Sequence, residues 1–255
     1  MNGRLVLRGW IVHLKYLSSS GYFVVTSAFT PIVLATVTFY LFRAGDRPGG
    51  LASAAIGAGM LNMWVTTLVG SGQVLTLLRT AGMLELLVIA PAPFAFVLAP
   101  MTLATATVGL YSLVGVLAWN WLLFDVPLPV VHPWLLAVSV PATVLALGML
   151  GMVLGSVFVR FRYANGLTNV LVYPIWLVSG LLVPTALLPA WIRPVSWLLP
   201  STWGVRAIRE SMLGGRPLLA IGACLALAAL YLGIGVVAIR RFELLARQHA
   251  SLALS

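Results

Sequence analysis

Six stretches of this chain carry no charged residue. They lie between Lys15 and Arg43, Arg47 and Arg79, Glu85 and Asp125, Asp125 and Arg160, Arg162 and Arg193, and Arg216 and Arg240. Each is longer than the ~20 apolar residues that cross a bilayer as a helix. In lipid every backbone N–H and C=O must be paired internally, so such runs imply spanning helices. With 8% of its 255 residues charged and 61% hydrophobic, the chain reads as an all-α integral membrane protein. No hydrophilic stretch is long enough for a second folded domain, so residues 1–255 are expected to form one transmembrane domain.

The spans are expected near 21–42, 52–77, 94–118, 134–158, 165–183 and 217–239. Trp119, Trp121, Trp134, Trp191, Trp197 and Trp203 fall at span ends or in connections, as interfacial aromatics do. Pro31, Pro100 and Pro141 fall inside spans, where neighbouring helices can re-satisfy the freed carbonyls. Six spans put both termini on one side. If that side is cytoplasmic, nine Lys/Arg lie inside and six outside, which favours cytoplasmic termini.

Residues 4–19 precede the first span. At 100° per residue, Leu7, Trp10, Ile11, Leu14 and Leu17 share a face, with Arg4, Arg8 and Lys15 clustered beside it. That pattern suits an interfacial helix whose basic residues meet anionic headgroups. The plainer alternative is an ordinary cytoplasmic start to the first span. The run from Gly21 to Phe42 is too long for a signal-peptide core.

The net charge of +10 could suggest nucleic acid, but the basic residues are scattered over the loops of a hydrophobic chain, so orientation is the better account and no nucleic-acid partner is expected. Arginine outnumbers lysine fourteen to one, a usage that points to a GC-rich bacterial source. Cys224 has no partner for an internal disulfide and reads as a small core residue. His13, His132 and His249 are isolated, so no metal site is expected. Gly151 and Gly155 have the spacing that lets two helices approach, within the chain or between copies.

Two segments stand out. The connection over 79–91 begins at Arg79, turns at Gly82, continues through Leu84, Glu85 and Leu87, and stops at Pro91-Ala92-Pro93. A short helix there is a natural docking element. The second segment runs over 180–215. Pro184, Pro189, Pro194 and Pro200 interrupt it repeatedly, and its apolar pieces are too short to cross. Backbone of that kind at membrane depth must be buried against protein or water. A re-entrant helical hairpin before the last span satisfies this, with the helix from Val205 to Leu213 at the outer interface and Arg206, Arg209 and Glu210 meeting headgroups or water.

Both segments resemble ABC-2 type transporter permeases of the daunorubicin-resistance and polysaccharide-export group. The first matches at Arg79, Gly82, Leu84, Glu85, Leu87 and Pro91. The second resembles that family's pattern of a glycine-proline entry, Leu-Pro-x-Trp, Trp-x-x-Pro and an Arg-bearing helix ending in Gly-Gly. The resemblance implies that 79–91 is the cytoplasmic coupling helix that contacts an ATPase subunit. It implies that 180–215 is an external re-entrant hairpin; lying where an exported substrate leaves, that hairpin is expected to act as a gate, with Pro184, Pro189, Trp191, Trp197 and Pro200 as gate residues. Arg4, Arg8, Trp10 and Lys15 would mark the interfacial helix.

The implied protein is the non-catalytic permease of an ABC exporter in a bacterial plasma membrane. It would pair with a second permease copy, identical or paralogous, and with two ATPase subunits that hold ATP and Mg. The substrate would be amphipathic or lipid-like: a drug, lipid, glycan or peptide. The sequence agrees in lacking a G-x-x-x-x-G-K-[ST] phosphate loop and the H-E-x-x-H and G-x-S-x-G sets of common hydrolases. The alternative is an ion- or proton-coupled secondary transporter, disfavoured because no span carries a mid-membrane charge.

Overall fold

The computed structural model describes residues 2–19, 21–43, 50–80, 82, 94–158, 170, 172, 174–181 and 189–252. Among these, eight helices are α1 (Asn2–Ser19), α2 (Gly21–Arg43), α3 (Gly50–Thr80), α4 (Ala95–Phe124), α5 (Pro133–Phe158), α6 (Arg193–Leu198), α7 (Pro200–Leu213) and α8 (Pro217–Leu252). Residues 174–178 are also helical, and the described residues contain no strand.

Four helices are long and apolar enough to cross a membrane: Gly50–Val74 in α3, Ala95–Phe124, Pro133–Val157 in α5, and Pro217–Arg241 in α8. Phe29–Arg43 in α2 is a shorter apolar helix. These correspond to the expected spans near 52–77, 94–118, 134–158 and 217–239, with α2 at the place of the first. Most of the expected span near 165–183 lies outside the described residues.

Proline sets the helix starts. Pro133, Pro200 and Pro217 each open a helix, where the missing N–H is one the helix would leave unpaired anyway. Asp125 ends α4 with a left-handed φ of 48°, and Val126 N–H returns to the Asn120 carbonyl at 3.2 Å. Short polar residues tolerate that conformation better than most.

The core sits where α3, α4 and α5 meet. Ile56, Met60, Met63, Trp64 and Leu68 of α3 are fully buried with Leu98 of α4, Leu147 and Met152 of α5 and Ile208 of α7. Glycine sets how closely these helices approach. A Cβ on Gly59 would lie 2.5 Å from Leu113, one on Gly109 2.8 Å from Met63, and one on Gly70 2.7 Å from Thr105. In lipid no hydrophobic force drives one helix onto another, so close packing at small residues must hold them. Gly151 faces Ser71 of α3 within the same chain, where a Cβ would be 2.6 Å from the hydroxyl oxygen. Its close approach is therefore intrachain. Several buried hydroxyls are satisfied on the preceding turn, as Ser71 is by Thr67 O at 2.7 Å and Thr143 by Ser139 O at 2.7 Å.

The peripheral helices dock by aromatic and polar contacts. Phe39 of α2 stacks on Phe124 of α4 at 4.0 Å, and the Trp119 indole donates to Thr36 Oγ1 at 3.2 Å. α1 lies against α4: Gly9 faces the Pro100 ring, and the Trp10 indole donates to Thr107 Oγ1 at 3.1 Å. His13 is buried on the same side, while Leu7 and Ile11 stay exposed. The protein-facing stripe of α1 is thus Gly9–Trp10–His13, rotated from the expected apolar face. The Trp10 indole on that stripe finds a protein partner, and Leu7 and Ile11 are left for hydrocarbon.

Candidate functional site

Among the described residues, long-range polar links gather at the end of the bundle where α3, α5 and α8 begin. Here 174–181 and 189–216 return to the helices. Pro189 starts a tight turn, with Ile192 N–H on its carbonyl at 3.0 Å. α6 follows for six residues. Leu199, extended at φ −88° and ψ 120°, breaks it from α7. That break follows from Pro200, which disfavours helical backbone at the residue before it.

Side chains lock these pieces together. Ser196 Oγ donates to Val178 O at 2.6 Å, the Trp203 indole to Trp197 O at 2.8 Å, and Tyr231 OH on α8 to Leu198 O at 2.5 Å. Val131 and His132 N–H reach Met212 and Ser211 carbonyls at 3.1 and 2.9 Å, capping the last turn of α7 with the chain that leads into α5. α7 then ends at Gly214, φ 96°, a conformation glycine adopts without steric cost.

α7 is wedged in and does not float on the surface. Val205, Ala207, Ile208 and Met212 are buried, packed on α5, α8 and α3. Gly204 makes this possible, since a Cβ there would sit 2.5 Å from Thr143.

Arg209 is the centre of the arrangement. Its guanidinium donates to three backbone carbonyls: Ser53 of α3 from Nε at 3.3 Å and Nη2 at 3.1 Å, Gly180 from Nη1 at 3.3 Å, and Leu181 from Nη2 at 2.5 Å. Burial pushes Arg209 down to about 10 from the usual arginine value, which still leaves it charged at neutral pH. Gly57 leaves the room. A Cβ there would lie 1.9 Å from Leu181 O and 2.6 Å from Arg209 Nη2. The expectation that Arg209 meets headgroups or water is therefore corrected. It turns inward, because it lies about 100° round the helix from Glu210. Arg206 and Glu210 do stay together, ion-paired at 2.7 Å, with Arg206 also over the Trp203 ring at 5.8 Å.

Of the expected gate residues, Pro189, Trp191 and Trp197 are exposed and Pro200 is buried. Pro184 lies outside the described residues. Trp191 and Trp197 share this end of the bundle with Trp134, which is 85% exposed. Of the expected coupling residues, Gly82 is described, with a left-handed φ of 65° and an exposed position. The backbone of Arg79 is in the last turn of α3, and Leu84, Glu85, Leu87 and Pro91 lie outside the described residues. On α1, Arg4, Arg8 and Lys15 are exposed, beside the Trp10–Thr107 bond.

The acceptors of Arg209 were not foreseen from sequence, because backbone carbonyls leave no side-chain signature. The available signal was Arg209 itself, set four residues after Val205 on the apolar side of an amphipathic helix, with Gly57 in the small-residue run of α3.

Among families of known proteins, the model for ABC-2 type transporters matches residues 5–213, from α1 to the end of α7. No curated protein that was compared matches the chain.

Proposed function

The chain belongs to the ABC-2 type transporter family, and from that membership we propose that it is the membrane pathway of an ATP-driven exporter. Being a permease subunit of an ABC transporter follows from the family. The finer reading is ours. Two copies of this chain, or this chain and a paralogue, form the pathway, and two separate subunits bind ATP and Mg and hydrolyse the nucleotide. The topology is six spans with both termini in the cytoplasm of a bacterium, residues 79–91 facing the ATPase and 180–215 facing outside.

The observation that carries this reading is the continuity of the family match. It runs through the 79–91 connection and the clamped segment around Arg209, joined by α3. This helix has 31 residues, ~46 Å of axis. One end leads into Arg79, Gly82 and Glu85. Near the other end, Ser53 and Gly57 hold Arg209 and Leu181. ATP-driven closure of the ATPase pair would push on the loop, and α3, packed on glycine, would carry the displacement as a rigid body. The clamp ties α3 to α7 and to the end of the fifth span, so the segment bearing Pro184, Pro189, Trp191, Trp197 and Pro200 would move with it and open the outer mouth. The apolar, aromatic character of the spans suits an amphipathic or lipid-like substrate.

The test is reconstitution with the ATPase partner in vesicles. The reading requires ATP-dependent export that Glu85→Arg abolishes while insertion of the chain is unchanged. Wild-type rates in that variant would remove the coupling role from this loop.

A further inference from the structure

A cavity of about 440 Å³ opens on the flank of the bundle between α4, α5 and α8, with Val6 of α1 at its edge. Its volume lies in the ~300–1,000 Å³ range of small-ligand sites. Its walls are apolar, Ala99 and Leu103 facing Leu145, Met149 and Leu232, and its one charged lining residue is Arg240. Along α8 the lining runs from Ala228 to Arg240, ~18 Å of helix axis. The cavity is therefore long and narrow, greasy along its length and cationic at one tip.

That tip coincides with the place where the apolar stretch of α8 stops, at Arg241. Arg240 thus stands at headgroup level while Ala228 stands at acyl depth. α8 is the least enclosed of the four candidate spans, with 28% of its apolar window buried by protein, so the open side of the cavity faces hydrocarbon.

We propose that this cavity holds one acyl chain of an anionic glycerophospholipid whose phosphate is taken by Arg240. Each copy of the chain would carry its own such lipid, bound on elements of a single subunit and independently of the transported substrate. The apolar wall selects for a chain, and the single guanidinium selects for an anionic headgroup over a zwitterionic one.

The experiment uses the full-length chain, equilibrated in vesicles of equal parts phosphatidylglycerol and phosphatidylcholine and then analysed by native mass spectrometry for retained lipid. A basic residue near an anionic surface favours it by about fivefold, so phosphatidylglycerol should be retained about fivefold over phosphatidylcholine. Arg240→Gln should bring the two to parity, whereas Arg241→Gln, beside the cavity but not lining it, should keep the preference. Ala229→Phe, at an exposed position of the lining, should fill the cavity and lower retention of both lipids. A persistent preference in Arg240→Gln, undiminished retention in Ala229→Phe, or no preference in the wild type would each overturn the proposal. Displacement of the phosphatidylglycerol by an equal amount of oleate would overturn the assignment to a phosphate headgroup.

Discussion

Arg209 of α7 grips the carbonyl of Ser53 on α3 with two nitrogens, Nη2 at 3.1 Å and Nε at 3.3 Å. A half-buried cation held by backbone oxygen depends on the geometry of those oxygens and on the room beside them. Arginine suits this because its planar fork presents five donors in a fixed arrangement. The same guanidinium also reaches Gly180 and Leu181, so one side chain fixes three segments relative to one another.

Gly57→Ala is expected to break that arrangement, since its new methyl would meet Leu181 O at 1.9 Å. Overpacking of this kind costs about 1–3 kcal/mol. Thermal melting of the purified variant should show a drop of several degrees, while the same change at Gly222, whose Cβ would meet nothing within 4 Å, should not. Equal melting of the two variants would contradict the clamp.

Arg209→Lys should not rescue function. Lysine keeps the charge but cannot bond Ser53, Gly180 and Leu181 from one planar group, and each buried carbonyl left unpaired costs about 1–3 kcal/mol. Transport should fall at least tenfold in vesicles with normal insertion. Retention of wild-type transport would show that charge alone is needed.

The docking of α1 should weaken in acid. His13 is buried against α4, and desolvation lowers its pKa below the ordinary 6.5. The folded state therefore favours neutral imidazole. Its contribution is complete above 6.5 and is lost as pH falls through the lower folded value. Amide exchange in α1 should accelerate as pH is taken from 7 toward 5, after correction for intrinsic rates, and His13→Phe should abolish the dependence. A pH-independent α1 in the wild type would rule this out.

Much of the fold was legible in the charge gaps, because a bilayer tolerates few alternatives to helix over such runs. α3, α4, α5 and α8 follow from them directly. Which way individual side chains face was harder. Arg206, Arg209 and Glu210 all read as exposed, since arginine and glutamate usually are, yet Arg209 turns inward to acceptors that exist only once Gly180 and Leu181 are brought over α3. On α1 the period of Leu7, Ile11 and Leu14 marked an apolar face correctly as a pattern, but the side that meets protein is the one where Gly9 and His13 fit against Pro100 and its surroundings. Gly57 and Gly204 were invisible as contacts, because a missing Cβ has meaning only against a known neighbour.

The most direct test of the central claim is affinity purification of the chain from its native membrane, with transport assayed on what is recovered. The account predicts an ATP-hydrolysing subunit in equal amount with the chain, lost in Glu85→Arg, and export only when that subunit and ATP are present. Recovery of the chain without such a subunit, together with transport driven by an ion gradient alone, would contradict it.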